Sequence, residues 1–310
     1  MVLAGGLSHE RDVSLRSSRR VADALTRSGS EVHIRDVDQT LVGAIRSTRP
    51  EVVWPVLHGA TGEDGALRDV LASLGIAYVG SRPASCHLTW DKPVAKALMA
   101  AEGVSSPAGV ALSHATFREL GAPALLESVV DSLGLPLAVK PARGGSALGL
   151  TIVRSASDLP SAMVTAYAYG DIVLIEQFIS GTEVAISMVE DAHGQMLSLP
   201  AVEIVPDGGV YSYEARYTAG ATEFFTPARL SASAAASAAA ASLTAFRTLG
   251  HQHLSRVDLI IDSDERPWFL EANVSPGMTE TSLLPMAVQG AGLDSAGVYA
   301  GIVERALKSS

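Results

Sequence analysis

Residues 256–273 read RVDLIIDSDERPWFLEAN: two apolar runs separated by DSDERP, a stretch with the composition of a turn. That pattern predicts a β-hairpin. Each run carries an acid where a core strand has least use for one. Asp258 lies inside the first run, and Glu271, with Asn273 two residues on, ends the second. A buried carboxylate is costly unless it is paired or holds a metal. Either Asp258 pairs with Arg256 and Glu271 caps a turn, or the hairpin presents an oxygen-only site for a hard cation.

Upstream, the first eighty residues alternate strand and helix. VLAG, EVHIRDV, EVVWPVLHG and IAYVG have strand character, with LRSSRRVADALTRSG and ALRDVLASLG helical between them. This alternation predicts a parallel sheet with crossover helices, whose sites lie at the carboxyl ends of the strands. GGLSHE and HGATGEDG therefore belong on one edge. DKPVAKALMAAEGV and FRELGAPALLESVVDSLG read as helices. From Leu137 longer strands follow (LAVKPA, GLTIVR, DIVLIEQFI, EVAISMVE, LPAVEIV), then an Ala-rich helix closed by Gly250, the hairpin, and a terminal amphipathic helix. Soft boundaries predict three units: 1–84, 85–178 and 179–310.

Composition narrows the function classes. With a net charge of −10, the chain is a poor partner for nucleic acid or an anionic membrane. No apolar run reaches the roughly 18–20 residues of a membrane span. MVLAGG reads as a strand and turn rather than a signal peptide, and Cys86 is the only cysteine, which excludes an internal disulfide. A cytoplasmic protein is expected.

Several motifs carry chemistry. VKPARGGSALGL (139–150) sets Lys140 at a strand end before a glycine-rich loop whose N–H groups can face phosphate oxygens. The Gly144–Gly149 spacing resembles a P-loop, but Leu150 stands where that motif needs Lys. Lys92 opens a helix, and Glu176 and Glu183 flank a turn. GGLSHERDVSL lacks the glycine spacing of a dinucleotide turn. His251 and His253 form an H-x-H without an evident third ligand. His58 ends a buried strand just before a loop of acids and glycines.

Taken in order, the blocks AGGLSHERDVSL, HGATGEDGALRDVL, DKPVAKAL, AVKPARGGSALG, GTEVAIS, VEIVPDGGVYSYEARY and RVDLIIDSDERPWFLEANVSPGMTETSLLP resemble the D-alanine–D-alanine ligase family of the ATP-grasp superfamily. The resemblance runs to about residue 285. It implies an α/β ATP-grasp fold with an N-terminal parallel-sheet domain, a central α+β subdomain and a C-terminal α+β domain. It also implies a cytoplasmic enzyme that joins two D-alanines through a D-alanyl phosphate, for peptidoglycan precursor synthesis.

By the same resemblance, Asp258, Glu271 and Asn273 hold two Mg²⁺ ions, with Mn²⁺ an acceptable substitute. Lys92 and Lys140 bind ATP phosphates, Glu176 and Glu183 recognise adenine and ribose, and the loop 143–149 closes over the phosphates. Glu10 binds the ammonium of the first D-alanine, with Ser146 and Tyr217 as its hydrogen-bonded partners and His58 nearby. Arg256 and the Gly277 N–H stabilise the oxyanion, and Ser282 with Leu283 receives the second carboxylate. Family members are usually homodimers. Two positions depart from the common pattern: Ala147 replaces a loop Ser, and Arg216, an ATP-binding position, replaces Lys. Both keep open a specialised ligase that takes another D-amino acid or a 2-hydroxy acid. Tyr217 goes with dipeptide activity in the family.

Overall fold

A computed structural model describes residues 1–309. Its fourteen strands form three sheets among the described residues. The first contains β1 (Val2–Ala4), β2 (Ile34–Asp36), β3 (Val52–Pro55) and β4 (Ala77–Tyr78), all parallel, in the order β2-β1-β3-β4. Helix Arg11–Arg27 makes the first crossover. Its apolar positions Val21 and Leu25 are buried, while Ser14 and Ser18 bond the backbone of the strands beneath. As the alternation predicts, the turns after β1 and β3 meet at the carboxyl edge: a Cβ on Gly59 would stand 3.5 Å from Glu10 Oε2.

The second sheet pairs β5 (Gly109–Ser113), β6 (Leu137–Pro141), β7 (Thr151–Val153) and β8 (Ile172–Gln177) antiparallel, in the order β5-β8-β6-β7. Helices Ala122–Leu133 and Leu159–Tyr167 cover one face, closing a core of Leu126, Val129, Leu137, Val139, Met163 and Ile175. The single helix expected over 117–134 is two, His114–Leu120 and Ala122–Leu133. Gly121 breaks it at φ 78°, with Pro123 in the first turn of the second helix.

The third sheet holds β9 (Thr182–Glu190), β10 (Met196–Ser198), β11 (Val202–Pro206), β12 (Thr222–Phe225), β13 (Leu254–Ile261) and β14 (Pro267–Asn273). Its order is β12-β11-β9-β13-β14, with β10 also on β9. Val184, Ile186, Val257, Leu259 and Phe269 point to one face. There they meet the helix Ala232–Thr248, whose buried Ala234, Ala238, Ala241 and Ala245 let it lie close to the sheet. Ser231 Oγ caps that helix by accepting from Ala234 N–H at 3.0 Å. Helix Lys92–Ala101 packs on the same face through Ala95 and Met99, although it falls within 85–178 in sequence. The terminal helices Leu283–Gly290 and Ser295–Lys308 cover part of the other face and join it to the first sheet, Tyr299 meeting Trp54 edge-on at 5.7 Å.

The hairpin is present, with one irregularity that strict alternation does not foresee. Asp258 pairs with Glu271 but Leu259 with Phe269, so Leu270 is an extra residue, a β-bulge. The bulge sends Phe269 into the core while Leu270 and Glu271 both face the opposite side, beside Asp258. Burying a side chain such as Phe269 stabilises the fold by about 1.5–3 kcal/mol, so the register is strongly fixed.

Candidate active site

Period-two alternation along β13 answers the question raised by its acids. Val257, Leu259 and Ile261 fill the core; Arg256, Asp258 and Ile260 must therefore face the cleft. Register brings Glu271 and Asn273 from β14, and Glu183 from β9, to the same face. Two cavities meet over it. The larger, about 620 Å³, lies between the second and third sheets, and its walls include Lys140, Glu176, Glu183 and Asp258 with Leu148, Ile152, Phe178, Ile260 and Leu270. The smaller, about 100 Å³, lies toward the first sheet, lined by Glu10, His58, Ser146, Tyr217, Arg256, Asn273, Gly277, Ser282 and Leu283. Lys92, Gly144, Gly145, Arg216 and Glu271 border both.

Charge at the neck between the cavities is mostly positive. Lys92 Nζ donates to Gly144 O at 2.6 Å and stands 3.3 Å from Glu271 Oε2. Burial would raise the Glu271 pKa, but Lys92, Lys140, Arg216 and Arg256 outweigh it and hold the carboxyl at about 2. Arg256 grips Asp258 through two hydrogen bonds of 2.7 and 2.8 Å, so the ion-pair reading of Asp258 describes part of what is seen. Burial works against the Arg256 charge, yet Asp258 and Glu271 keep its pKa raised.

Deeper in the large cavity, Glu176 forms ion pairs with Lys140 at 2.6 Å and with Lys96 at 3.0 Å. Both of its oxygens thus face lysines, and it holds Lys140 at the wall of the large cavity. Lys96 was not singled out in the sequence. It sits one helical turn after Lys92 on the same face, a spacing that could have flagged it. Its burial, opposed by Glu176, lowers its pKa to about 8. Glu183 is pushed up to about 7 by burial, with Arg216 pulling the other way. Arg216 already reaches the neck, its guanidinium 4.0 Å from the Tyr211 ring centroid.

The smaller cavity is closed by a three-way contact. Ser146 Oγ donates to Glu10 Oε1, so the Tyr217 hydroxyl, 2.7 Å away, donates to Ser146. This ties the turn after β1, the loop 143–149 and the short helix Tyr213–Tyr217 together. Glu10 is free for it because, although at the N-cap of its helix, its side chain makes no cap bond. Burial raises the Tyr217 pKa to about 12, keeping the phenol neutral. Ser146 and Ala147 adopt φ of 52° and 54°, strained values for residues with a Cβ.

The segment after β14 docks on the first sheet's carboxyl edge. His58 Nδ1 lies 3.1 Å from Ser275 O, Ser275 Oγ donates to Leu57 O at 2.7 Å, and Met278 N–H donates to Ser17 Oγ at 3.1 Å. A Cβ on Gly277 would stand 2.7 Å from Ser282 Oγ, so a larger residue there would push that hydroxyl off its bonds to Thr279. Ser282 occupies the N-cap position of the helix Leu283–Gly290 without a side-chain cap bond, and with Leu283 it lines the smaller cavity. His251 and His253 lie elsewhere: His251 Nε2 meets Thr89 Oγ1 at 2.8 Å, and His253 Nδ1 accepts from Gly80 N–H at 2.9 Å.

The donor set suits a hard cation. Asp258 and Glu271 offer carboxylate oxygens and Asn273 an amide oxygen, all on one face of the sheet, and the surrounding cations keep Glu271 ionised. Among the described residues no group of three or more His, Cys, Asp and Glu forms a ready-made metal cage. A partial shell of this kind fits Mg²⁺, which keeps several waters and shares phosphate oxygens.

Comparison with known proteins gives a consistent result. Residues 98–304 match the family model described as D-ala D-ala ligase C-terminus. A D-alanine–D-alanine ligase of Bordetella petrii is 40% identical over 98% of this chain and 91% of its own length. One from Gloeobacter violaceus is 39% identical over 99% and 98%. Among solved structures, the D-alanine–D-alanine ligase of Bacillus anthracis complexed with ATP superposes with a TM-score of 0.83 at 28% identity, covering 99% of this chain and 97% of that one. The VanG D-Ala:D-Ser ligase of Enterococcus faecalis gives 0.84 at 26% identity, covering 98% of each.

Proposed function

The chain belongs to the D-alanine–D-alanine ligase family, and from that premise we propose that it joins two D-alanines with ATP through a D-alanyl phosphate. The dipeptide is a building block of peptidoglycan precursors. The observation that carries this reading is the neck where ionised Glu271, Lys92 and the loop 143–149 stand between a large and a small cavity. A nucleotide fits the large one, with the second lysine, Lys140, oriented by Glu176. Glu183, on the cleft face of β9, is the candidate ribose ligand. Asp258, Glu271 and Asn273 would hold Mg²⁺, which supplies neutralisation of phosphate charge when bound.

The chain's own groups account for the rest of the chemistry. Lys92, Lys140 and Arg216 stabilise the transferring phosphoryl group by fixed positive charge. Arg256, kept cationic by Asp258, and the Gly277 N–H face the oxyanion formed when the second amine attacks. The N-terminus of helix Leu283–Gly290, with Ser282, is suited to the carboxylate of that second substrate. Ser146, Tyr217 and Glu10 hold the loop down over the acyl phosphate and exclude water, which would hydrolyse it.

We assign the acceptor as an amine, D-alanine, rather than D-lactate, on the strength of Tyr217. Product mass spectrometry on a panel of D-amino acids and 2-hydroxy acids, with D-alanine as donor, tests it. D-alanyl-D-alanine should dominate at pH 7; a predominant D-alanyl-D-serine or D-alanyl-D-lactate product refutes the assignment and favours the specialised ligase. The three sheets, within 2–78, 109–177 and 182–273, favour boundaries near residues 84 and 178, with the helix Lys92–Ala101 packed on the third sheet as the exception. A homodimer in the cytoplasm completes the proposal. Light scattering should give twice the 32.1 kDa of the chain, and no helix among the described residues is long and apolar enough to cross a membrane.

A further inference from the structure

Glu63 ends the short helix Ala60–Glu63 in the loop that follows β3, and it is only 8% exposed. Its Oε1 accepts from Gly59 N–H at 2.8 Å, a bond that an uncharged amide could equally make. It lines the smaller cavity together with Glu10 and His58. A Cβ on Gly145 would stand 3.6 Å from Glu10 Oε2 and 3.8 Å from Glu63 Oε1, so the two carboxylates flank the same point of the phosphate loop.

His58 supplies an independent sign of a ligand. Its Nδ1 faces the Ser275 carbonyl, which can only accept, so Nδ1 carries the hydrogen and Nε2 is left as an acceptor. Burial lowers the pKa of this ring, which keeps it neutral. The residue is 5% exposed and Nε2 has no partner in the protein. A buried lone pair opening on a cavity is normally met by something. Here the missing partner is a donor. Glu10, Glu63 and His58 Nε2 together make three acceptors, and a primary ammonium has three N–H donors.

We propose that Glu63 binds the ammonium of the first D-alanine jointly with Glu10 and His58 Nε2, one acceptor for each N–H. This rests on the reading that the smaller cavity takes D-alanine. The groups facing Glu63 are Glu10 from the turn after β1, His58 and Gly59 N–H from its own loop, Lys92 from helix Lys92–Ala101, and Glu271 from β14. Burial first, and then Glu10, raise its pKa to about 8 against the pull of Gly59 N–H and Lys92. Burial and the neighbouring Glu10 carboxylate thus favour the protonated form of Glu63 in the free protein. The arriving ammonium displaces that proton: the Glu63 O–H bond breaks, the proton passes to buffer, and the new carboxylate faces the substrate's positive charge. A 2-hydroxy acid brings no such charge and one donor, so the first position selects an amine.

Isothermal titration of D-alanine into protein with Mg²⁺ and a non-hydrolysable ATP analogue, in buffers of different ionisation enthalpy at pH 7, reads the proton directly. The parent should release about one proton per D-alanine bound. Glu63→Gln keeps the bond to Gly59, so it should melt near the parent while losing the release. Its KM for the first D-alanine should rise about 10- to 100-fold, the range of one charge-assisted contact, with a smaller change in kcat. A purely structural Glu63 would move neither proton release nor that KM. No release by the parent, or a Glu63→Gln variant with KM within twofold of it, overturns the proposal while D-alanine ligation stands. A parent that binds the nucleotide but neither binds nor consumes D-alanine overturns the substrate reading, and this proposal with it.

Discussion

Arg216 is held by shape as well as by charge. Its guanidinium stacks on the ring of Tyr211, itself buried, and borders both cavities. Arg216→Ala should slow turnover by about 30- to 1,000-fold, equivalent to roughly 2–4 kcal/mol of transition-state stabilisation, with little change in the KM for ATP. Arg216→Lys should recover part of that loss but not all, because an ammonium has no plane to lay on the ring. Steady-state kinetics on the two variants checks both statements. Glu271 gives a prediction of a different kind. Its pKa is depressed to about 2 in the folded protein, against about 4.5 when unfolded. The stability it contributes is therefore present above pH 4.5 and is lost as pH falls toward 2. In metal-free buffer the melting temperature of Glu271→Gln should fall less steeply than that of the parent across that window, and its Mg²⁺-dependent turnover should be lost. At this scale the sequence was informative wherever a residue broke a local pattern, as Asp258 and Glu271 do. Lys96 and Glu63 escaped notice because one looks like an ordinary helix lysine and the other like a turn acid. Only burial and the cavity give them meaning.

Two devices operate between elements. The first is the Ser146 contact that links the phosphate loop to Glu10 and Tyr217. Ser146→Ala should free that loop: kcat should fall, and hydrogen exchange of residues 143–149 and 212–218 should accelerate, while the KM for ATP stays close to that of the parent. Unchanged exchange in both segments would mean that the strained loop is held by something else. The second is the bulge at Leu270. Deleting Leu270 removes the extra residue, so Glu271 opposite Asp258 and Phe269 opposite Leu259 follow each other directly and both keep their faces. The variant should melt cooperatively while losing affinity for nucleotide, whose cavity Leu270 lines; a destabilisation of about 3–5 kcal/mol, the size of a Phe lost from a core, would contradict that account. The strands and the hairpin were legible from their apolar periodicity. The bulge was not, because an extra residue leaves no mark on composition. The break at Gly121 is written in GAP, yet the apolar spacing on either side outweighed it.

At the scale of the molecule, the two cavities lie where three sheets approach one another, and contacts distant in sequence, such as Ser275 with Leu57, hold the hairpin end against the first sheet. No local pattern encodes those contacts; the ordered series of motifs did, by resembling a family in which the same blocks meet. Because a ligand that binds only the folded state stabilises it, Mg²⁺ and ADP at about 100 times their dissociation constant should add about 2.7 kcal/mol of stability, seen as a rise of several degrees in melting temperature. The central claim is that the first D-alanine is activated as an acyl phosphate within this cleft, and isotope transfer reads it most directly. D-alanine labelled with ¹⁸O in its carboxylate is turned over with ATP and Mg²⁺, and the phosphate is analysed by mass spectrometry. One ¹⁸O per phosphate released, together with ADP and the dipeptide, is the predicted result. Phosphate free of label, or AMP and pyrophosphate in place of ADP and phosphate, would contradict it.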